Sequence, residues 1–230
     1  MSEFPPKNKH LADRIYLIFA ALFITSLVVS NLIFQKFVSI DFFGIYTFEI
    51  SVGVLPYPIT FLITDIVSEV YGKRKANQMV TTGIFASFFS LLIVYVSNAL
   101  NAIPTSPIGN ELFTQVFGAT AVAVFASMMA YLLAQYIDIH IFHWWKKVTQ
   151  GKYLWLRNNF STFTSQFVDT FTVLFLLCSF NKIPWEMFSA LLVSGFLFKI
   201  LVALLDTPLL YAGVYWLRNL FGLKGTQELG

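Results

Sequence analysis

The sequence predicts an all-α integral membrane protein with six transmembrane helices and both termini in the cytoplasm. Three observations carry this reading. Of 230 residues, 57% are hydrophobic and only 12% charged, with a mean hydropathy of +0.70; a soluble domain carries roughly 25% charge. Apolar runs of about 20 residues, enough to cross a hydrocarbon core as a helix, recur six times. The cations are concentrated in alternate loops, the signature of oriented insertion. The alternating pattern of a membrane β-barrel is absent, and the bilayer admits only helices or closed barrels.

The chain reads as one transmembrane domain, residues 1–230. The polar segment MSEFPPKNKHLADR precedes a first span at about 11–34. That span is too long for a signal-peptide core, so it is expected to remain uncleaved. The segment from Lys36 to Glu49 has the β-branched and aromatic content of a short hairpin or a re-entrant piece. The second span, about 52–71, has Pro56 and Pro58 near its start, where they can break or unwind it. Gly72 stops it, and the third span follows at about 76–98. Pro104, Pro107 and Gly109 mark a turn. The fourth span is expected at about 117–139, the fifth at about 160–180 and the sixth at about 187–205. After a kink at Pro208, residues 207–220 are expected to form an amphipathic tail helix.

Twelve of the 15 Lys and Arg residues fall on one side of this topology. They are Lys7, Lys9 and Arg14; Lys73, Arg74 and Lys75; Lys146, Lys147, Lys152 and Arg157; and Arg218 and Lys224. Only Lys36 and Lys182 fall opposite, and Lys199 lies within the sixth span. The positive-inside rule places the basic side in the cytoplasm. Cations spread over short loops are topology signals, so no direct nucleic-acid partner is expected. Cys178 is the only cysteine, which excludes an internal disulfide and a cysteine metal cluster. Asp138, His140 and His143 read as interfacial side chains, so neither a metal nor another cofactor is expected.

The chemistry resides in polar residues inside the spans. A charge at the centre of a membrane helix costs roughly 2.5–3.5 kcal/mol on insertion scales, so such residues mark substrate or ion paths. Asp65 and Glu69, four apart, share one face of the second helix. Glu69 is also within reach of Lys73 at i+4. Gln166 and Asp169 lie in the fifth span, and Lys199 and Asp206 share a face of the sixth. Lys199 is expected either to snorkel toward the interface or to serve as a countercharge for Asp169 or Asp206. Ser26, Ser30 and Asn31 form a stripe on the first, and Gln135 and Asp138 end the fourth. Ala126, Ala130 and Ala134 make a close-packing stripe. Carboxylates and amides suit a hydrogen-bond-rich ligand, aromatic walls suit a flat ring, and a buried carboxylate can carry a proton.

Four motifs, in order, resemble a known family: PITFLITDIVSEVYGKRKA, ASMMAYLLAQYIDIHIF, RNNFSTFTSQFVDT and KILVALLDTP. Together they are similar to the queuosine precursor transporter family, also called the vitamin uptake transporter family. The resemblance implies a six-helix protein of the prokaryotic cytoplasmic (inner) membrane. It implies import of the 7-deazaguanine precursors of queuosine, 7-cyano-7-deazaguanine and 7-aminomethyl-7-deazaguanine, for salvage into tRNA modification. It places the family's polar positions on Asn31, Thr64, Asp65, Glu69, Gln135, Asp138, Arg157, Asn158, Asn159, Ser161, Gln166, Asp169, Thr170, Lys199, Asp206 and Thr207.

Among these, Asn31, Asp65, Glu69, Gln166, Asp169, Lys199 and Asp206 are the expected substrate-binding set. Asp169 or Glu69 would take the N1–H and amine edge, and Gln166 and Asn31 the carbonyl and ring nitrogens. Asp65 and Glu69 are the expected coupling or gating residues. Arg157, Asn158, Asn159, Ser161, Gln135 and Asp138 are expected to be structural. The partners implied are the small-molecule substrate and the lipid bilayer, with association into a homo-oligomer left open. Two other classes stay open at this point. One is the substrate-binding membrane subunit of a multi-component vitamin uptake complex, whose ATPase would be a separate chain because no Walker loop occurs here. The other is a membrane-embedded enzyme, although no nucleophile with a paired histidine is evident within the spans.

Overall fold

The computed structural model describes residues 6–33, 36–44, 46–118, 121–181 and 184–229. Phe34, at the end of the first expected span, and Lys182 lie outside them. The described elements are α1 (Pro6–Ile33), β1 (Phe37–Phe42), β2 (Tyr46–Ser51), α2 (Tyr57–Val70), α3 (Lys73–Ala99), a short α4 (Asn110–Phe113), α5 (Ala121–Val148), α6 (Leu154–Ser179) and α7 (Phe188–Phe221). Among the described residues, six helices are long and apolar enough to cross a membrane. The fold is therefore that of an all-α integral membrane protein.

The segment after α1 is an antiparallel hairpin, with Ile40 opposite Phe48. It turns through Phe43 and Gly44, both at positive φ. Asp41 helps close the turn by accepting from the Gly44 N–H at 3.1 Å. Buried Phe48 anchors the hairpin edge-on to Phe198 of α7, 5.2 Å between ring centres. The two prolines start α2 rather than break it. Pro56 is its N-cap and Pro58 lies in its first turn, where a missing N–H costs nothing. Gly72, at φ +84°, then makes the sharp reversal into α3.

α2 is the most enclosed span and α7 the least. Side chains from five helices surround α2, among them Phe23 and Leu27 of α1, Met79 and Val80 of α3, Tyr131 of α5 and Leu210 and Leu217 of α7. Gly83 permits the close crossing of α1 and α3; a Cβ there would meet the Phe23 ring at 2.5 Å. α5 packs most extensively on α6, with Ala126, Ala130 and Ala134 fully buried.

Three helix ends depart from the expected spans. α5 runs on to Val148, and α6 starts at Leu154, so Lys146, Arg157, Asn158 and Asn159 lie in helices rather than in a loop. The sixth span and the expected tail are one helix of 34 residues that continues through Pro208. Tertiary packing outweighs the lost backbone hydrogen bond. Ala203, Leu210, Val214, Leu217 and Phe221 form one continuous buried stripe on both sides of the proline. The chain after α7 folds back, and the Leu229 N–H donates to the Val70 carbonyl at 2.9 Å. The cation-bearing ends of α1, α2, α3, α5, α6 and α7 thus meet at one end of the bundle, the basic end, with the hairpin at the other.

Candidate functional site

Tyr57, Phe61, Asp65 and Glu69 stand on α2 at successive i+4 steps. One face of the helix therefore carries a ladder about 18 Å long across the bundle. It faces α6, whose buried side is polar from Arg157 to Thr170 before ending in Leu174 and Cys178. Asn158, Thr162, Ser165, Gln166 and Asp169 are all buried, whereas Phe160, Phe167, Phe171 and Phe175 point outward. A helix with this division can only sit with its polar side against protein and its aromatic side against lipid.

Nearest the hairpin, Asp169 pairs with Lys199 of α7 at 2.5 Å and accepts a hydrogen bond from the Tyr57 hydroxyl at 2.7 Å. The Lys199 ammonium also lies 5.0 Å from the centre of the Tyr57 ring. Asp169 is thus the countercharge of Lys199. Among the described residues, Asp206 forms no ion pair within bonding distance. Tyr57, Phe61 and Tyr131 pack edge-on or tilted, with ring centres 5.0–5.9 Å apart. The Tyr131 hydroxyl accepts from Gln135 Nε2 at 2.7 Å.

In the middle of the ladder, Asp65 of α2 and Asp138 of α5 face each other within hydrogen-bond reach. The Ser165 hydroxyl donates to Asp138 Oδ1 at 3.0 Å. At the basic end, Glu69 gathers cations from three helices. Arg157 lies 2.6 Å from it, and Lys146 and Arg218 each lie 3.4 Å away. Lys146 also pairs with Glu228 at 2.8 Å, and Arg157 donates to the Gly151 carbonyl at 2.8 Å. Lys73, the local i+4 candidate, is displaced by cations that the fold delivers from elsewhere.

A narrow cleft opens between α2, α6 and α7. Its walls include Tyr57, Phe61, Asp65, Asn158, Thr162, Gln166, Lys199 and Asp206. Four buried polar atoms of these walls make no hydrogen bond: Asp65 Oδ1, Asn158 Oδ1, Thr162 Oγ1 and Gln166 Oε1. Buried polar atoms are nearly always paired, so the unpaired carboxylate and amide oxygens of Asp65, Asn158 and Gln166 in one cleft mark a place that accepts donors.

Of the expected binding set, Asp65, Gln166, Lys199 and Asp206 come together in this cleft, and Asp169 stands behind Lys199. Glu69 is outside it, held by its cations. Asn31 lines a separate small pocket between α1, α3 and α5, with Ser87 and Met128. Asp138 is not interfacial; it is fully buried, because α5 continues ten residues beyond it. Of the residues expected to be structural, Asn158 lines the cleft. Asn159, Ser161 and Gln135 are buried beside it without appearing in its walls. Tyr57, Phe61 and Thr162 were not singled out from the sequence. Their signal was there: each continues an i+4 series, through Asp65 and Glu69 on α2 and through Asn158 and Gln166 on α6.

Residues 51–213 match a family model described as "Putative vitamin uptake transporter". The chain is 28% identical over 183 residues to a protein of Bacillus subtilis (strain 168) named "Probable queuosine precursor transporter", covering 79% of this chain and 77% of that one. It is 30% identical over 200 residues to the "Queuosine precursor transporter" of Escherichia coli (strain K12), covering 81% of this chain and 79% of that one. No solved structure matches the chain.

Proposed function

The chain belongs to the vitamin uptake transporter family, and we propose that it imports queuosine precursors, 7-cyano-7-deazaguanine or 7-aminomethyl-7-deazaguanine, through the cleft between α2, α6 and α7. It is a membrane transporter rather than an enzyme, and a multi-pass protein of the prokaryotic cytoplasmic membrane. We place the basic end in the cytoplasm, following the positive-inside rule. The hairpin then faces outward.

The observation that carries the substrate reading is the set of unpaired buried oxygens of Asp65, Asn158 and Gln166 beside the Tyr57 and Phe61 rings. A 7-deazaguanine is flat and rich in donors: N1–H, the exocyclic amine and the pyrrole N–H. Gln166 and Asn158 accept from these donors. Lys199, held in place by Asp169, donates to the ring carbonyl. Asp206 lies near enough to serve the cationic substituent of the aminomethyl compound. Asp169 therefore acts by positioning Lys199, and Glu69 by closing the basic end. The chain works as a single-protein secondary transporter in this reading.

The test uses cells that cannot make or import the precursor and that lack any multi-component vitamin uptake module. Expression of the chain with supplied 7-cyano-7-deazaguanine is expected to restore queuosine in tRNA. Queuosine-free tRNA despite normal membrane expression would refute the reading. Restoration only when an uptake ATPase is supplied would favour a subunit of a larger complex.

A further inference from the structure

Asp65 and Asp138 are 3% and 0% exposed, and their carboxyls lie within hydrogen-bond reach across the α2–α5 contact. Asp65 Oδ1 and Asp138 Oδ2 receive no hydrogen bond from a donor. The Thr162 hydroxyl, also buried and unpartnered, is turned toward Asp65. No cation bonds either carboxyl among the described residues. Arg157, Lys146 and Arg218 are taken by Glu69, and Lys199 by Asp169. The other groups facing the pair are Asp206 from α7, Ser161 and Ser165 from α6 and Tyr131 from α5. None of these supplies positive charge. Two carboxyls in contact, in a membrane interior with no countercharge, cannot both be ionised.

We propose that Asp65 and Asp138 share one proton and that this pair couples substrate import to inward proton movement, a proposal that rests on the transport reading above. Asp65 is the member that lines the substrate cleft, so the occupancy of the cleft and of the proton site are felt by one side chain. The pair joins α2 to α5, so a rearrangement of these helices separates the carboxyls and removes the reason for holding the proton. One helical turn along α2, the Arg157, Lys146 and Arg218 cluster lies on the basic side. Its positive potential favours the ionised carboxylates once water enters from that end. The proton is taken up by the pair on the hairpin side and released to water on the basic side. No bond other than O–H is made or broken.

The experiment uses the full chain in two readouts. In proteoliposomes more acidic outside than inside, the wild type is expected to accumulate 7-cyano-7-deazaguanine above the external concentration, and a protonophore abolishes the accumulation. Asp138→Asn is expected to keep exchange of the compound at equal concentrations and to lose accumulation. Accumulation by Asp138→Asn equal to wild type, or wild-type accumulation driven by sodium and indifferent to the pH gradient, would overturn the proposal. The second readout needs no substrate. Infrared spectra at neutral pH are expected to contain a protonated carboxyl stretch that both Asp65→Asn and Asp138→Asn shift or remove; a band unaffected by either overturns the pair. If that band behaves as expected but the wild type neither binds nor exchanges 7-cyano-7-deazaguanine, the substrate reading fails and the shared proton stands.

Discussion

Replacing Glu69 with Gln removes the one anion that Arg157, Lys146 and Arg218 share. The three cations lose it unequally. Lys146 keeps Glu228 at 2.8 Å, and Arg218 is the most exposed of the three, at 16% of its side chain. Arg157 is 1% exposed and loses the one ion pair it makes among the described residues, at 2.6 Å. Removing one partner of a buried pair costs about 3–5 kcal/mol, because the remaining charge stays desolvated. For a chain of this length each kcal/mol moves the melting temperature by roughly 2–4 °C, so Glu69→Gln is expected to melt roughly 6–20 °C below wild type. Cys178, the only cysteine and 1% exposed, supplies the assay: a thiol-reactive fluorogenic dye reports its exposure during heating in detergent. Adding Arg157→Met to Glu69→Gln removes the stranded charge and is expected to recover at least half of the loss. A shift of less than about 2 °C, or no recovery in the double variant, would refute the claim that Glu69 is chiefly a buried counterion.

Three further outcomes follow from the packing. Asp169→Asn releases Lys199 and is expected to reduce uptake at least tenfold, a loss of about 1.4 kcal/mol or more, measured as initial rates with matched expression. Tyr57→Phe deletes a hydrogen bond to a charged acceptor and is expected to cost about 1.5–3 kcal/mol of stability, read as a lower Cys178-exposure temperature. Gly83→Ala drives a methyl into the fully buried Phe23 ring, so the ring or the helix must shift; overpacking of this kind costs about 1–3 kcal/mol and is read in the same assay.

The six spans were legible because lipid imposes a length and a composition that any folded arrangement must obey. The polar positions were legible for the same reason, since charge inside a span needs a purpose. Their partners were not. Glu69 has a cation four residues away in Lys73, yet the fold brings Arg157 from 88 positions along the chain. Asp138 looked interfacial because its span was ended at residue 139. Ten more residues of α5, ending in the basic pair Lys146 and Lys147, carry it inside. Asn31 and Gln166 looked alike in sequence, but the fold sends them to two separate pockets, Asn31 beside Ser87 and Met128 and Gln166 into the cleft with Asp65 and Lys199. Among 26 Phe and 10 Tyr, composition could not choose Tyr57 and Phe61 as the rings of the cleft; the i+4 ladder could. At Pro208 local propensity and tertiary packing disagree, and the apolar stripe on α7 prevails.

The central claim is tested most directly by measuring binding of 7-cyano-7-deazaguanine to the purified protein, with Gln166→Leu alongside. Gln166 Oε1 is buried and unpaired, so its removal is expected to leave the melting temperature unchanged or raised. The wild type is expected to bind, and Gln166→Leu to bind at least about tenfold more weakly, since a hydrogen bond to a buried ligand donor is lost. Equal binding by both proteins would move the site out of the cleft between α2, α6 and α7. No binding by well-folded wild type would contradict the substrate itself.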